Sequence, residues 1–373
     1  MKILLLGKCL DGGTGTFFFS MINLEAKEKS NIKIIPVVLE KPSFTIPPKN
    51  IKIKYFASSS SYPERYNLSP NFIFLLIKEL FWLNSIINKD HPDCIISIDF
   101  HCALLSELYK FIFNSKIKSL VTFHNNLRGV FENKATPLLR FFLTHIAGFF
   151  LNRSNQVIGV SKELSFDIKK LLRLRTIPKI INYGIKINKL EFIYKERVNN
   201  NIISIARFFE QKDHQTLLKS FVIVQNKIKS AKLFLVGDGP LKNELITLSK
   251  KLKIDNKIVF TGWVKNPIRL LKKSALFVLS TKREGFGYVI IEAMSLGLPT
   301  IVTDAPFGPS EILNEGKFGI LTPVGDAKKM ADSIIELLLN KERYIYYSKK
   351  SIERVQAFNI KNMLKQYVNL IDS

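Results

Sequence analysis

The sequence predicts an α/β protein made of two doubly wound, Rossmann-like domains, each built on a parallel sheet. Three observations predict it. Short apolar runs recur along the chain, each closed by glycine or a polar residue, as buried parallel strands are. Glycine-rich loops follow several of these runs and open helices, the strand–loop–helix–strand order of such domains. The 373 residues suffice for two domains of about 150–200 residues each, and 46% hydrophobic content supports a core in both.

The first domain opens with the apolar run Lys2–Leu6, then Gly7, then Asp11-Gly12-Gly13-Thr14-Gly15-Thr16 and the apolar start of a helix at Phe17. Gly12 and Gly13 allow a phosphate to approach the backbone closely. A simple tight turn explains them equally well. Their spacing does not match the dinucleotide fingerprint, and no Walker-type Gly-Lys-Ser/Thr follows, which disfavours NAD and ATP. Ile34–Leu39 is a second strand and Pro42–Pro48 a loop. Asn71–Lys89 has Ile73, Leu76, Ile77, Leu80, Leu83 and Ile87 on one helical stripe, with Phe74, Phe81 and Trp82 off it. Pro92–Asp99 and Leu120–His124 are strands. His124 stands just past a strand end, where doubly wound sheets bind ligands; His101 holds a similar but weaker position.

Pro137–Leu151 is aromatic and apolar, and Arg153, Lys162, Lys169, Lys170, Arg173 and Arg175 follow it. Two readings stand side by side here. One is docking on an anionic membrane face; the other is a core helix beside a solvated basic helix. Val157–Ser161 is the next strand. Residues 186–200 are polar and charged, a linker.

The second domain begins with the strand Asn201–Ala206. Arg207 stands at its end and Lys212 five residues on, a fork and a point charge suited to two phosphates. Lys232–Val236 is a strand closed by Gly237-Asp-Gly-Pro240, and Ile258–Trp263 follows. Ala275–Leu279 is a strand, Gly285 and Gly287 break periodicity, and a helix then runs toward the strand Pro299–Asp304. Glu284 and Glu292 are eight residues apart, about two helical turns, so both can face one cleft. The bland alternative makes Glu284 a cap and Glu292 part of a solvated face. Ser351–Ser373 has a helical pattern.

Net charge is +25, concentrated in the second and third hundred residues at +11 and +10, against +3 and +1 in the first hundred and the remainder. Such a field favours anionic partners. The cysteines, Cys9, Cys94 and Cys102, have neither metal-ligand spacing nor a disulfide framework, so a reducing cytoplasm is expected. The apolar part of Met1–Leu10 is too short for a signal peptide, and Phe141–Leu151 too short to span a bilayer. A cytoplasmic protein, peripheral at most on the inner face of the membrane, is the expectation.

The stretch Glu284-Gly-Phe-Gly-Tyr-Val-Ile-Ile-Glu292 resembles the E-x7-E motif of retaining GT-B glycosyltransferases of family 4 (group 1). Other segments agree: Arg207 to Lys212 is similar to that family's diphosphate clamp, with Ala206 in place of the usual glycine. Thr122-Phe-His-Asn125 resembles its active-site His segment, and Phe307-Gly-Pro-Ser-Glu311 its signature in enzymes of lipid-linked oligosaccharide, lipopolysaccharide and capsule synthesis. Departures are Thr-Gly-Thr in the first loop and Lys186 where an acidic residue is usual.

The resemblance implies a GT-B fold, two Rossmann-like domains facing across a deep cleft: an acceptor domain 1–185, a linker 186–200, a nucleotide-sugar domain 201–350, and a C-terminal helix in 351–373 returning to the first domain. It implies a UDP-sugar donor, a glycan or polyprenyl-linked acceptor and transfer with retention. Arg207 and Lys212 would hold the diphosphate, Glu292 the ribose, and Glu284 with the backbone of Gly285, Phe286, Gly287 and Tyr288 the sugar. Gly262 and Trp263 would lie by the base, Gly12 and Gly13 by the donor, and His124 against the sugar. No Asp-x-Asp motif occurs, so no metal cofactor is expected. A UDP-sugar 2-epimerase would share the architecture. A nucleic-acid-binding protein would explain the charge, but the cations scatter instead of forming one stripe.

Overall fold

The structure, a computed structural model, describes residues 1–10, 12–22, 32–42, 47–48, 50–56, 70–128, 137–187 and 199–373, without the side chains of 70–73. It contains two compact units, Met1–Tyr183 with Lys361–Ser373, and Gly184–Ile360. Of the expected linker at 186–200, residues 188–198 lie outside the described ones.

The first unit carries a seven-stranded parallel sheet of order β3-β2-β1-β4-β5-β6-β7. Its strands are β1 (Lys2–Gly7), β2 (Lys33–Val38), β3 (Lys54–Tyr55), β4 (Cys94–Ile98), β5 (Lys118–Phe123), β6 (Gln156–Gly159) and β7 (Lys179–Ile180). The helices are α1 (Gly13–Ile22), α2 (Pro70–Asp90), α3 (Asp99–Ile112), α4 (Pro137–Leu151) and α5 (Lys162–Leu172). The apolar runs of β1 and β4 are buried on both faces, which is why they do not alternate. Right-handed crossovers put α1 on one face of the sheet and α2 to α5, whose connections step across the sheet in the opposite direction, on the other. Leu4, Leu6, Val37 and Ile95 meet Leu80, Leu83 and Leu105 on that second face. Ile77, placed by periodicity on the inner stripe of α2, is exposed instead, as are Phe74 and Phe81.

The second unit carries a six-stranded parallel sheet of order β10-β9-β8-β11-β12-β13. Its strands are β8 (Asn201–Ile205), β9 (Lys232–Val236), β10 (Ile258–Gly262), β11 (Leu276–Leu279), β12 (Thr300–Thr303) and β13 (Ile320–Thr322). The helices are α6 (His214–Lys227), α7 (Lys242–Lys251), α8 (Ile268–Lys272), α9 (Tyr288–Ser295), α10 (Gly308–Leu313), α11 (Ala327–Leu339) and α12 (Lys341–Val355). Its core joins Leu217, Phe221, Leu233, Leu276, Ile301 and Ile334.

The tail, expected as one returning element over 351–373, is divided between the units. Ser351 donates to the Leu298 carbonyl at 2.8 Å, and Arg354 to the Glu311 and Ile312 carbonyls, so α12 stays with the second unit. A 3₁₀ turn, Gln356–Phe358, follows, and then α13 (Ile360–Asp372). From Lys361 this last helix belongs to the first unit. Its Tyr367 is fully buried, with its ring 5.4 Å from that of Phe17 and its hydroxyl 3.0 Å from Thr122 Oγ1. Lys118 Nζ donates to the Ile371 carbonyl at 2.9 Å near the helix C-terminus, where a cation is favoured.

Candidate active site

In the second unit, the chain leaves β8 as a strap, Ala206–Phe208, pinned from β9 by Ala206 N–H to the Val236 carbonyl (3.0 Å) and Phe208 N–H to the Asp238 carbonyl (2.9 Å). Phe208 is fully buried and plugs the strap into the core, which leaves Arg207 exposed, its guanidinium 5.0 Å from the Phe209 ring centre. A 3₁₀ turn, Glu210–Lys212, then carries Lys212 to Asp213, whose left-handed backbone (φ 44°) turns the chain into α6.

A second loop follows β11, and side chains stitch it to the first. Ser280 Oγ donates to the Lys212 carbonyl at 3.0 Å, and Thr281 Oγ1 lies 3.1 Å from the Gln211 carbonyl. Gln211 Nε2 donates to the Arg283 carbonyl at 2.7 Å, and Lys282 N–H to the Gln211 carbonyl at 2.8 Å. The result is that Lys212 Nζ and the Glu284 carboxylate form a hydrogen-bonded ion pair, both side chains about five-sixths buried. Neither Gln211 nor the Ser280–Thr281 pair stood out in the sequence. Their only trace was a polar pair at the end of an apolar run.

Glu284 is fixed from a third side. Its N–H donates to the Pro306 carbonyl (3.2 Å) and its carbonyl accepts from Gly308 N–H (3.4 Å), a bridge between Glu284 and Phe307. Gly308 lies so close beneath Phe286 that a Cβ would come within 1.9 Å of the Phe286 carbonyl oxygen. Gly308→Ala must therefore move backbone, and a loss of about 1–3 kcal/mol in stability is expected. A thermal melt checks it, and an unchanged Tm would mean that the loop accommodates the methyl. Phe286 is buried against Phe358, and Gly287, at φ 102° in the region that favours glycine, ends the loop and starts α9. Tyr288 follows, its hydroxyl 3.4 Å from the Gly184 carbonyl.

Glu292, on α9, is half-buried, and burial pushes its carboxyl from 4.5 up to about 7. The unfolded chain then loses this proton before the folded one does, so stability is fully present below pH 4.5 and declines as pH rises to about 7. The decline amounts to about 3 kcal/mol at most. Glu292→Gln is expected to match the wild-type Tm at acid pH and exceed it at pH 8. A constant difference at all pH values would contradict that. Gly262 (φ 72°) closes β10 and accepts from Gly237 N–H at 2.9 Å, which brings it beside the strap, and Trp263 next to it is exposed.

The remaining candidates lie in the first unit. His124 is buried, with its Nδ1 hydrogen-bonded to the Tyr183 hydroxyl and its Nε2 3.0 Å from Thr122 Oγ1, which in turn meets Tyr367. Phe17 packs on the ring at 4.5 Å. Burial pushes the imidazole down to about 3, so it is neutral at ordinary pH. Both ring nitrogens are thus engaged by hydroxyls. Asp99, at φ 64° on the first residue of α3, accepts from the His124 N–H (3.0 Å) and from Asn125 Nδ2 (2.8 Å). Burial raises its carboxyl to about 6. His101 pairs with Glu79 at 2.8 Å in the interior. Gly12, exposed at φ 78°, accepts from Thr16 N–H at 3.2 Å, and Gly13 is the first residue of α1; Asp11 lies outside the described residues.

Chemically, the second unit offers an exposed guanidinium, an ammonium and a carboxylate on adjoining loops at the carboxyl ends of its strands, where doubly wound sheets take ligands. A 640 Å³ depression in the first unit, lined by Asn84, His91, Tyr109 and Phe113, lies near the opposite, amino ends of β4 and β5. Among the described residues, no group of three or more His, Cys, Asp or Glu is placed to hold a metal, and no helix is long and apolar enough to cross a membrane.

Residues 188–354 match the family "Glycosyl transferases group 1". An uncharacterized glycosyltransferase of Methanocaldococcus jannaschii is 28% identical over 346 residues, covering 80% of this chain and 84% of that protein. The N-acetyl-alpha-D-glucosaminyl L-malate synthase of Bacillus anthracis is 28% identical over 276 residues, 71% of this chain and 70% of that one. Among solved structures, HepE of Anabaena in complex with UDP superposes with a TM-score of 0.77 over 100% of both chains at 18% identity, a likeness of fold.

Proposed function

We propose, from the premise that this chain is a group 1 glycosyl transferase of the GT-B fold, that it moves a hexose or N-acetylhexosamine from a UDP-sugar with retention of anomeric configuration. The observation that carries the reading is the Lys212–Glu284 pair, held by the hydrogen-bond lattice of Gln211, Ser280 and Thr281 on the loop that opens with the exposed Arg207. A cation and a carboxylate held in contact match the opposite charges of a departing nucleotide: diphosphate on one side, a cationic anomeric carbon on the other.

In this reading Arg207 takes one phosphate through its planar fork and Lys212 the other as a point charge. Lys212 exchanges Glu284 for the diphosphate when the donor binds, which frees Glu284 for the sugar. The backbone of Gly285–Tyr288 completes the sugar pocket, and Glu292 accepts from the ribose hydroxyls. Gly262 and Trp263 lie by the base, and Gly12 and Gly13 on the donor. The UDP preference follows the UDP complex of the similar-fold HepE, and N-acetylglucosamine, a sugar in the name of the Bacillus anthracis relative, heads the donor sugars to try. The chemistry as written uses no metal. His124 serves as a neutral strut in the acceptor unit, and a sugar hydroxyl reaches it by replacing the Tyr183 hydroxyl. A glycan or polyprenyl-linked acceptor of a cell-surface polysaccharide suits the basic, aromatic first unit.

The test is a thermal-shift panel of UDP, GDP, ADP and UDP-sugars. A ligand that binds only the folded state adds about 2.7 kcal/mol at a hundredfold excess over its Kd. A rise in Tm with UDP species alone is expected, and the sugar that raises it most names the donor. Indifference to every nucleotide would overturn the reading.

A further inference from the structure

We propose that the outward face of α4, with the exposed rings of α2 and α3 beside it, docks on an anionic lipid bilayer. α4 turns Ala147 and Gly148 inward between Leu143 and Leu151, and most of its bulky apolar residues outward. Leu143, Thr144, Ala147, Gly148 and Leu151 are buried, and Gly148 lies so close to the end of α5 that a Cβ would meet the Leu172 carbonyl at 2.0 Å. The opposite side presents Leu138 (68% exposed), Phe141 (52%), Phe142 (50%), Ile146 (48%) and Phe149 (51%) at spacings of three and four. A helix that buries alanine and glycine while exposing three phenylalanines has its stronger apolar face unpartnered.

The face is continuous with its neighbours. Phe150 on α4 meets the exposed Phe111 of α3 at 5.4 Å, and the exposed Phe81 of α2 meets Phe113, just after α3, at 6.2 Å. All four belong to the helical layer on one side of the first sheet.

Charge decides the partner. The Arg153 guanidinium stacks 3.7 Å from the Phe149 ring centre and Arg173 lies 5.6 Å from that of Phe141, so two fixed cations sit among the rings. α4 contains no Asp or Glu, and the carboxylates Glu79 of α2 and Glu107 of α3 are buried. Rings that enter the acyl boundary while arginines meet lipid phosphates form the pattern of an interfacial helix. A second copy fits less well, because a twofold contact on this patch would set arginine against arginine. A nucleic acid would need a basic stripe along the face, and Arg153 and Arg173 stand as single cations among apolar rings. The surface goes beyond the proposed reaction and does not depend on which nucleotide the second unit binds.

The experiment is co-sedimentation of the full chain with vesicles of phosphatidylcholine alone and of phosphatidylcholine mixed with phosphatidylglycerol, without nucleotide. Wild type is expected to sediment with the anionic vesicles only and to be released by salt. Phe141→Ser with Phe142→Ser and Phe149→Ser should weaken partitioning at least about tenfold. Arg153→Gln and Arg173→Gln should each cost about fivefold. All five positions are exposed, and a melting curve confirms that the variants fold. Failure to sediment with anionic vesicles, equal binding to neutral ones, or undiminished binding of the triple variant would overturn the proposal. So would a dimer in solution that the triple variant abolishes without any vesicle binding.

Discussion

Exchanging Arg207 and Lys212 together for alanine is expected to weaken UDP binding by at least about a hundredfold, measured by isothermal titration. Each makes a charge-assisted contact in the proposed complex, and such contacts are worth about 1.5–3 kcal/mol. The two are not equivalent. Arg207 is exposed and its field is screened, so Arg207→Ala should be the milder change. Lys212 is mostly buried against Glu284. Its removal deletes a phosphate contact and also leaves a mostly buried carboxylate facing the incoming diphosphate, so two penalties combine. Adding Glu284→Gln to Lys212→Ala should then recover part of the lost affinity, a coupling that independent surface cations would not show. UDP affinity unchanged in the double alanine variant would remove the clamp.

How much of this was legible in the sequence depends on the range of the interaction. The strands were legible because a parallel strand buried on both faces is apolar without interruption, as in Lys2–Leu6 and Leu276–Leu279. The Glu284-to-Tyr288 loop was legible because Gly287 needs a backbone that only glycine adopts readily. What stayed hidden acts across the fold. Gln211 meets Arg283 over seventy residues away in the chain, and Thr122 meets Tyr367 over two hundred away. No periodicity records such partners. His124 is an example: its strand-end position was readable and Thr122 is a chain neighbour, but the Tyr183 hydroxyl on its Nδ1 comes from 59 residues along the chain. The inverted packing of α4 was hidden for a related reason. Pattern finds an apolar face but not which side of the helix the sheet takes, and Gly148 against Leu172 settles that here. The tail reads as helical throughout, and the short 3₁₀ turn that divides it into two helices leaves no mark in the pattern.

Glu284→Gln should separate binding from chemistry. The amide keeps the size of the carboxylate and loses its charge, so Lys212 gains freedom to meet the diphosphate. UDP affinity is therefore expected to hold or rise. The rate of sugar transfer is expected to fall by about 10²–10³, the usual loss when one preorganised charge is removed from a transition state. The asymmetry follows from when the charge matters: bound UDP has no cationic carbon, whereas the transition state does. A fall in kcat without a rise in donor KM would place Glu284 at the reacting centre. The loop itself should survive, because it is held by the Glu284 backbone through Pro306 and Gly308 and by Phe286 in the core, none of which uses the carboxylate. An unchanged Tm in the variant would confirm that separation. If kcat stayed at the wild-type level, or if UDP affinity and rate fell together, Glu284 would be a structural partner of Lys212 and the charge at the anomeric carbon would have to come from elsewhere.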